Sequence, residues 1–224
     1  MIETKKLVKT FVDGDKITPV LKGIDFKVND GEFVSIMGRS GAGKSTFLYQ
    51  LSLLDDPTDG EVIIDGHDTH TMTAEQKMKF RLMKFGYVFQ DYALLPELTA
   101  LENVALPLLM QGHKKHIAYR DARSALDRAG LGHRLDNLPS QLSGGEQQRV
   151  SIVRAIAHRP KILFADEPTA NLDNQSSMII MDIFKDLHKE GQTIIMVTHE
   201  EPFAKLAERL IRFDDGNIIS DKKN

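Results

Sequence analysis

The sequence contains no cysteine. Disulfides, thiol nucleophiles and Cys-ligated zinc are therefore excluded, and the composition fits a reducing compartment. It also lacks an excess of positive charge. Its 29 Lys and Arg stand against 32 Asp and Glu, a formal net charge of −3, so no nucleic-acid partner is expected. No apolar stretch approaches the roughly 20 residues of a membrane-spanning helix. The opening MIETKKLVKTF lacks the apolar segment of a signal peptide. A chain soluble by itself is expected, with any membrane link made through a partner. Internal repeats and low-complexity tracts are absent as well. What remains is an ordinary globular balance, 41% hydrophobic and 27% charged over 224 residues, which suits one large domain or one domain with a subdomain.

Periodicity predicts an α/β fold. Strands are expected over 3–12 and 17–28 around the Asp13-Gly14-Asp15 turn, over Glu32–Met37, in a hairpin near 57–66, and over Phe85–Gln90. Lys161–Ala165 and Thr193–Val197 are short apolar runs, as in strands buried on both faces of a mainly parallel sheet. Helices are expected after Lys44, with Phe47, Leu48, Leu51 and Leu54 on one face, and from the Thr73-x-x-Gln76 capping box to about Lys84. Others are expected from about Gly145 to Ala157 and over 175–190, with Ile179, Ile180, Ile183, Phe184 and Leu187 inward. Gly191 is placed to end the latter. Residues 201–208 read as helix, and 210–219 as a hairpin. Residues 91–150 have few strand signals and much helical periodicity, with Ala122, Ala125, Leu126 and Ala129 on one face, and read as an inserted helical subdomain. The basic cluster 113–120, HKKHIAYR, reads as a solvated loop, and His67 and His70 as surface turn residues.

Gly38-Arg39-Ser40-Gly41-Ala42-Gly43-Lys44-Ser45 follows an apolar strand and opens a helix. It matches G-x-x-x-x-G-K-[ST], a loop whose inward N–H groups cradle phosphate, with the helix N-terminus adding positive potential. Lys44 is assigned to the β- and γ-phosphates and Ser45 to Mg²⁺. Gly38, Ser40, Gly41, Ala42, Gly43 and Thr46 complete the expected nucleotide contacts, while Arg39 reads as solvated. At the end of the strand Ile162–Ala165, Asp166 is expected to hold Mg²⁺ and Glu167 to polarise the attacking water as general base. A pair of acids at a strand end is common by itself; joined to the phosphate loop it becomes specific.

Leu142-Ser143-Gly144-Gly145-Glu146-Gln147-Gln148-Arg149 resembles the signature of ABC ATPases. The resemblance covers essentially the whole chain and implies a P-loop NTPase core (RecA-like) with an antiparallel β region in the N-terminal part. It divides the chain into that core, about 1–90 and 151–224, and a helical subdomain, about 91–150. It assigns Gln90 to the loop that touches Mg²⁺ or the water, and His199 to the γ-phosphate. Asp173, in Asn171-Leu172-Asp173, falls in the loop after the acidic pair, and Phe11 stands where an aromatic stacks on adenine. Ser143, Gly144 and Gly145 would close the site of a second copy, so that ATP is sandwiched in a head-to-tail homodimer.

Within the family, "LTALENVALPLL", DEPTANLD and the compact length resemble the ATPases of lipoprotein release, macrolide export and cell division. The resemblance implies a Mg²⁺-dependent ATPase on the cytoplasmic face of the membrane. A transmembrane permease subunit would dock near Gln90 and the helical subdomain, with residues 94–112 offering apolar surface. The alternatives are a soluble non-transport ABC ATPase and a membrane-linked ATPase of cell-division signalling. The cargo would be read by the partner chain, and this sequence carries no signal for it.

Overall fold

The computed structural model describes all 224 residues, Met1–Asn224. In chain order the elements are β1 (Ile2–Asp13), β2 (Lys16–Val28), β3 (Phe33–Gly38), α1 (Lys44–Leu51), β4 (Asp59–Ile64), β5 (His67–Asp68) and α2 (Ala74–Lys84). There follow β6 (Phe85–Val88), α3 (Ala100–Met110), α4 (Lys115–Arg128), α5 (Gly144–Ile156) and β7 (Ile162–Asp166). The chain ends with α6 (Asn174–Lys189), β8 (Thr193–Val197), α7 (Glu201–Ala204), β9 (Arg209–Asp214) and β10 (Asn217–Lys223). No helix is long and apolar enough to cross a membrane. The chain forms two compact units, Met1–Arg81 with Lys185–Asn224, and Leu82–Phe184.

In the first unit β1 pairs antiparallel with both β2 and β4, forming the order β2-β1-β4-β5. Its second sheet portion places β3 between β8 and β9, parallel to both, with β10 antiparallel to β9. Strands β3 and β8 are buried almost throughout, which is why their sequences are apolar runs without alternation. Phe47 of α1 joins the two layers, packing edge-on to Phe26 at 5.2 Å and stacked on Phe213 at 5.5 Å. The expected capping box opens α2, where the Thr73 N–H donates to Gln76 Oε1 and the Gln76 N–H to Thr73 Oγ1. Gly191, at φ 90°, ends α6 as expected, its N–H reaching the His188 carbonyl.

In the second unit β6 and β7 pair in parallel. Helices α3, α4 and α5 enclose a core of their own, centred on Val104, Ala105, Ala118, Ala122, Leu126 and Val150. Thr99 and Glu102 form the capping box that starts α3.

Several expectations need correction. Helix α1 stops at Leu51, so Leu54 lies beyond it and is exposed. On α6 the buried apolar residues are Ile180, Met181 and Phe184; Ile179 is 41% exposed, one helical step off the inward face. The stretch after β8 is helical only over Glu201–Ala204. The basic cluster is no loop, since Lys115 onward forms the first turns of α4, whose buried stripe is Ala118, Ala122 and Leu126. Most of the apolar residues of 94–112 pack the helical core, as in Ala100, Leu101, Val104, Ala105 and Leu108.

Candidate nucleotide site

The expected site residues divide between the two units. In the first, β3 ends at Gly38, and the chain turns through Arg39–Gly43 into α1. Gly43, the residue before the helix, has φ 100°, and a Cβ there would meet the Val20 carbonyl oxygen at 3.0 Å. Both constraints exclude a side chain. Having none, Gly43 also supplies no cap, and no acidic residue occupies the first turn of α1. The N-terminal end of α1 thus carries no capping side chain at Gly43 and no acid in its first turn, which suits an anion there. Lys44 is 6% exposed, and its ammonium donates to the Arg39 carbonyl at 2.9 Å, folding the side chain back over its own loop. A curled backbone, an uncapped helix start and a folded-back cation together fit a polyphosphate. Ser45 and Thr46 are half-buried on the first turn.

His199 belongs to the same unit. Ile36 of β3 lies opposite Val197 of β8, and the Thr198 N–H donates to the Ile36 carbonyl at 3.1 Å. The parallel register therefore brings His199 and the phosphate loop to the same carboxyl ends of adjacent strands, where ligands of open α/β sheets bind. The His199 side chain is exposed. On β1, opposite Thr18 of β2, Phe11 is 46% exposed with the Lys9 ammonium 5.0 Å from its ring centre.

In the second unit β7 is fully buried and delivers Asp166, 6% exposed, to its end. Glu167 follows at φ 46°. A residue before proline favours extended backbone, so a left-handed Glu167 before Pro168 stores strain on the order of 1–3 kcal/mol. The Pro168 carbonyl accepts a hydrogen bond from Nε2 of the fully buried Gln148 at 2.7 Å. Gln90 lies just past β6, exposed, and its carbonyl accepts from Asn171 Nδ2 at 2.9 Å. Each unit thus carries hard donors of the kind Mg²⁺ takes, the Ser45 hydroxyl in the first and the Asp166 carboxylate and Gln90 amide in the second.

Ser143 caps α5, and its hydroxyl accepts from the Glu146 N–H while Glu146 returns a carboxylate oxygen to the Ser143 N–H at 2.8 Å. Arg134 donates to the other Glu146 oxygen at 2.9 Å. The Ser143 N–H, with Arg134, holds the Glu146 carboxyl below its ordinary range. Gly144 and Gly145 have helical backbone; a Cβ on the first would press on Tyr92 Oη at 2.9 Å and on the second against Ser176 Oγ at 2.7 Å. Asp173 caps α6 by accepting from the Ser176 N–H and hydroxyl, both at 2.9 Å, which lowers its pKa.

Two residues of this unit were not singled out by sequence: Gln148, and Arg154, which donates to the Ala93 and Tyr92 carbonyls at 2.6 and 3.1 Å. The only available signal was a polar residue at a helix position facing the core. Arg154 also lines, with Tyr87, Phe89, Leu106, Pro107 and Met110, a mostly apolar groove of about 280 Å³.

A family model described as ABC transporter matches residues 21–170. The chain belongs to the ABC transporter family. It is 49% identical over 219 residues to the ABC transporter ATP-binding protein MJ1508 of Methanocaldococcus jannaschii, covering 98% of each. It is 48% identical over 202 residues to the lipoprotein-releasing system ATP-binding protein LolD of Aquifex aeolicus, covering 90% of each. Against the macrolide export ATP-binding/permease protein MacB of Aggregatibacter actinomycetemcomitans it is 47% identical over 221 residues. It spans 99% of this chain there but only 34% of MacB. Among solved structures, the dimeric post-hydrolysis state of the ATP-binding cassette MJ0796 bound to ADP and Pi superposes with a TM-score of 0.94 at 41% identity. That match covers 100% of this ABC ATPase and 98% of the cassette. The chain is an ATP-binding component of an ABC transporter, of the group that includes LolD and the cassette part of MacB.

Proposed function

We propose that this ABC ATPase binds MgATP at the phosphate loop and closes on it with a second copy. Hydrolysis then reopens the pair and drives a transmembrane partner at the cytoplasmic face of a membrane. The observation that carries this reading is the signature. Ser143 is exposed at the start of α5, and the first N–H groups of a helix have no intrahelical acceptor. A second glycine-rich helix start with an exposed hydroxyl, in a chain that already has a phosphate loop, is what a head-to-tail sandwich would use. The dimeric MJ0796 structure bound to ADP and Pi supports pairing with a second copy.

In this reading Phe11 stacks on adenine, and Gly38, Ser40, Gly41, Ala42, Gly43 and Thr46 wrap the phosphates with Lys44. Ser45, Asp166 and Gln90 would hold Mg²⁺, which when bound neutralises charge on the β- and γ-oxygens. Glu167 orients and deprotonates the attacking water, and His199 and Gln90 respond to the γ-phosphate. Ser143, Gly144 and Gly145, with Asp173 nearby in the chain's second unit, serve the nucleotide of the other copy. Loss of the γ-phosphate removes the bridge between copies and converts hydrolysis into motion. The apolar groove beside Tyr87 and Met110 would receive a cytoplasmic helix of the partner. Likeness to LolD and MacB favours export, lipoprotein release or force transmission across the membrane as the work performed.

The deciding experiment is Glu167→Gln with MgATP. Hydrolysis should fall by about two to three orders of magnitude with ATP affinity retained, and light scattering should find the dimer. A monomer that hydrolyses at the parent rate would sink the mechanism. The same variant should retain a membrane partner from detergent-solubilised membranes, and Met110→Asp should release it.

A further inference from the structure

Three residues at or near the proposed catalytic groups have left-handed backbone, namely Tyr92 at φ 64°, Ala93 at φ 47° and Glu167 itself at φ 46°. None is glycine or asparagine, the residues that adopt this region readily. Side chains from one helix, α5, hold the backbone at the first two and immediately after the third. Gln148 donates to the carbonyl of Pro168, the residue after Glu167, at 2.7 Å. Arg154, six residues further along α5, donates to the carbonyls of Tyr92 and Ala93 at 3.1 and 2.6 Å. Gln148 is fully buried, so water cannot take its place at the Pro168 carbonyl. The same helix begins at Ser143 with the capped signature.

We infer that α5 is a positioning strut. Gln148 sets the backbone that presents Glu167, and Arg154 sets the loop that follows Gln90. An α-helix rises about 1.5 Å per residue and moves as one piece, so Ser143, Gln148 and Arg154 shift together. Engagement of Ser143 by the nucleotide of a second copy is thereby felt at the water-activating carboxylate and at the Gln90 loop at once. Neither Gln148 nor Arg154 touches nucleotide in this scheme; both act through the backbone they hold. The Gln90 carbonyl itself is held separately, by Asn171. The inference deepens the proposed function and rests on the roles given there to Glu167 and Gln90.

The test uses Gln148→Met, which keeps volume and removes the donor, and Arg154→Lys, which keeps charge but not the two-pronged geometry. Three quantities are measured on the full chain: ATP affinity, steady-state kcat and KM, and amide hydrogen exchange. For Gln148→Met we expect kcat to fall about tenfold with KM within twofold, and exchange to rise at 166–170. For Arg154→Lys we expect a smaller fall in kcat and faster exchange at 89–94. Added to Glu167→Gln, Gln148→Met should lower the residual single-turnover rate by less than about twofold, because the group it positions is already gone. Variants that lose thermal stability while kcat per folded molecule and local exchange stay at parent values would overturn the strut. So would an undiminished tenfold effect in the Glu167→Gln background. Should Glu167→Gln alone turn over at the parent rate, the assignment of the base has failed, and the exchange at 89–94 and 166–170 still decides whether α5 holds the two loops.

Discussion

The phosphate loop and the signature have nearly the same ingredients, paired glycines and a hydroxyl at the start of a helix, yet the glycines are there for different reasons. Before α1 the glycine is needed for its backbone, since Gly43 sits at φ 100° against the Val20 carbonyl. At the start of α5 the glycines are helical, and what they provide is room, next to Tyr92 Oη and Ser176 Oγ. The capping differs accordingly. Gly43 has no side chain to cap α1, whereas α5 is closed by the Ser143–Glu146 box. In the proposed function the curled start wraps an anion, and the capped, straight start presents a flat end to one brought from outside.

The comparison can be broken from either side. Gly43→Ala carries the largest expected effect: a left-handed position and a carbonyl clash together cost about 1–3 kcal/mol, and ATP binding measured by calorimetry should be lost. Ser143→Arg should leave ATP affinity within about twofold, because binding in a single copy does not use it, while MgATP-driven dimerisation in the Glu167→Gln background disappears. Equal loss of ATP affinity in both variants would erase the distinction. Gly145→Ala should be nearly neutral for stability. The helix gains about 1 kcal/mol from replacing glycine, and the methyl displaces Ser176 Oγ from Asp173, which costs about as much. Thermal melting should move by only a few degrees, in contrast to Gly43→Ala.

The smallest effect concerns the cap itself. The folded-state pKa of Glu146 is lowered, chiefly by the Ser143 N–H and further by Arg134. Its contribution to stability is therefore complete above the unfolded value of 4.5 and is lost as pH falls below that through the folded value. Glu146→Gln should lose stability at pH 7 by about 1 kcal/mol or less and should melt with a shallower pH dependence below 4.5 than the parent. A parallel pair of melting curves would show that Glu146 is not the titrating group.

Much of the fold was legible because its signals are local. The short apolar runs of β3, β7 and β8, the box at Thr73 and Gln76 and the stop at Gly191 all follow from neighbours within a turn or two. The misjudged positions are those where a long-range contact overrides the local pattern. Ile179 has the right period for the buried face of α6, but the neighbours of that helix cover Met181 instead. The cluster 113–120 looks like a solvated loop until Ala118, Ala122 and Leu126 find a core to bury in.

By itself the sequence marked the loop proposed to meet phosphate, Gly38–Ser45, because glycine, lysine and serine at fixed spacing suit a loop that closes within eight residues. It also determined the family, through the ordered signature. Tertiary structure alone decided how the loops after Gln90 and Asp166 are held. Gln148 meets Pro168 across 20 residues and Arg154 meets Tyr92 across 62, and no local pattern marks a side chain whose partner is a distant carbonyl. Hydrogen bonds to backbone oxygens specify no residue type at the acceptor, so only the folded chain reveals them.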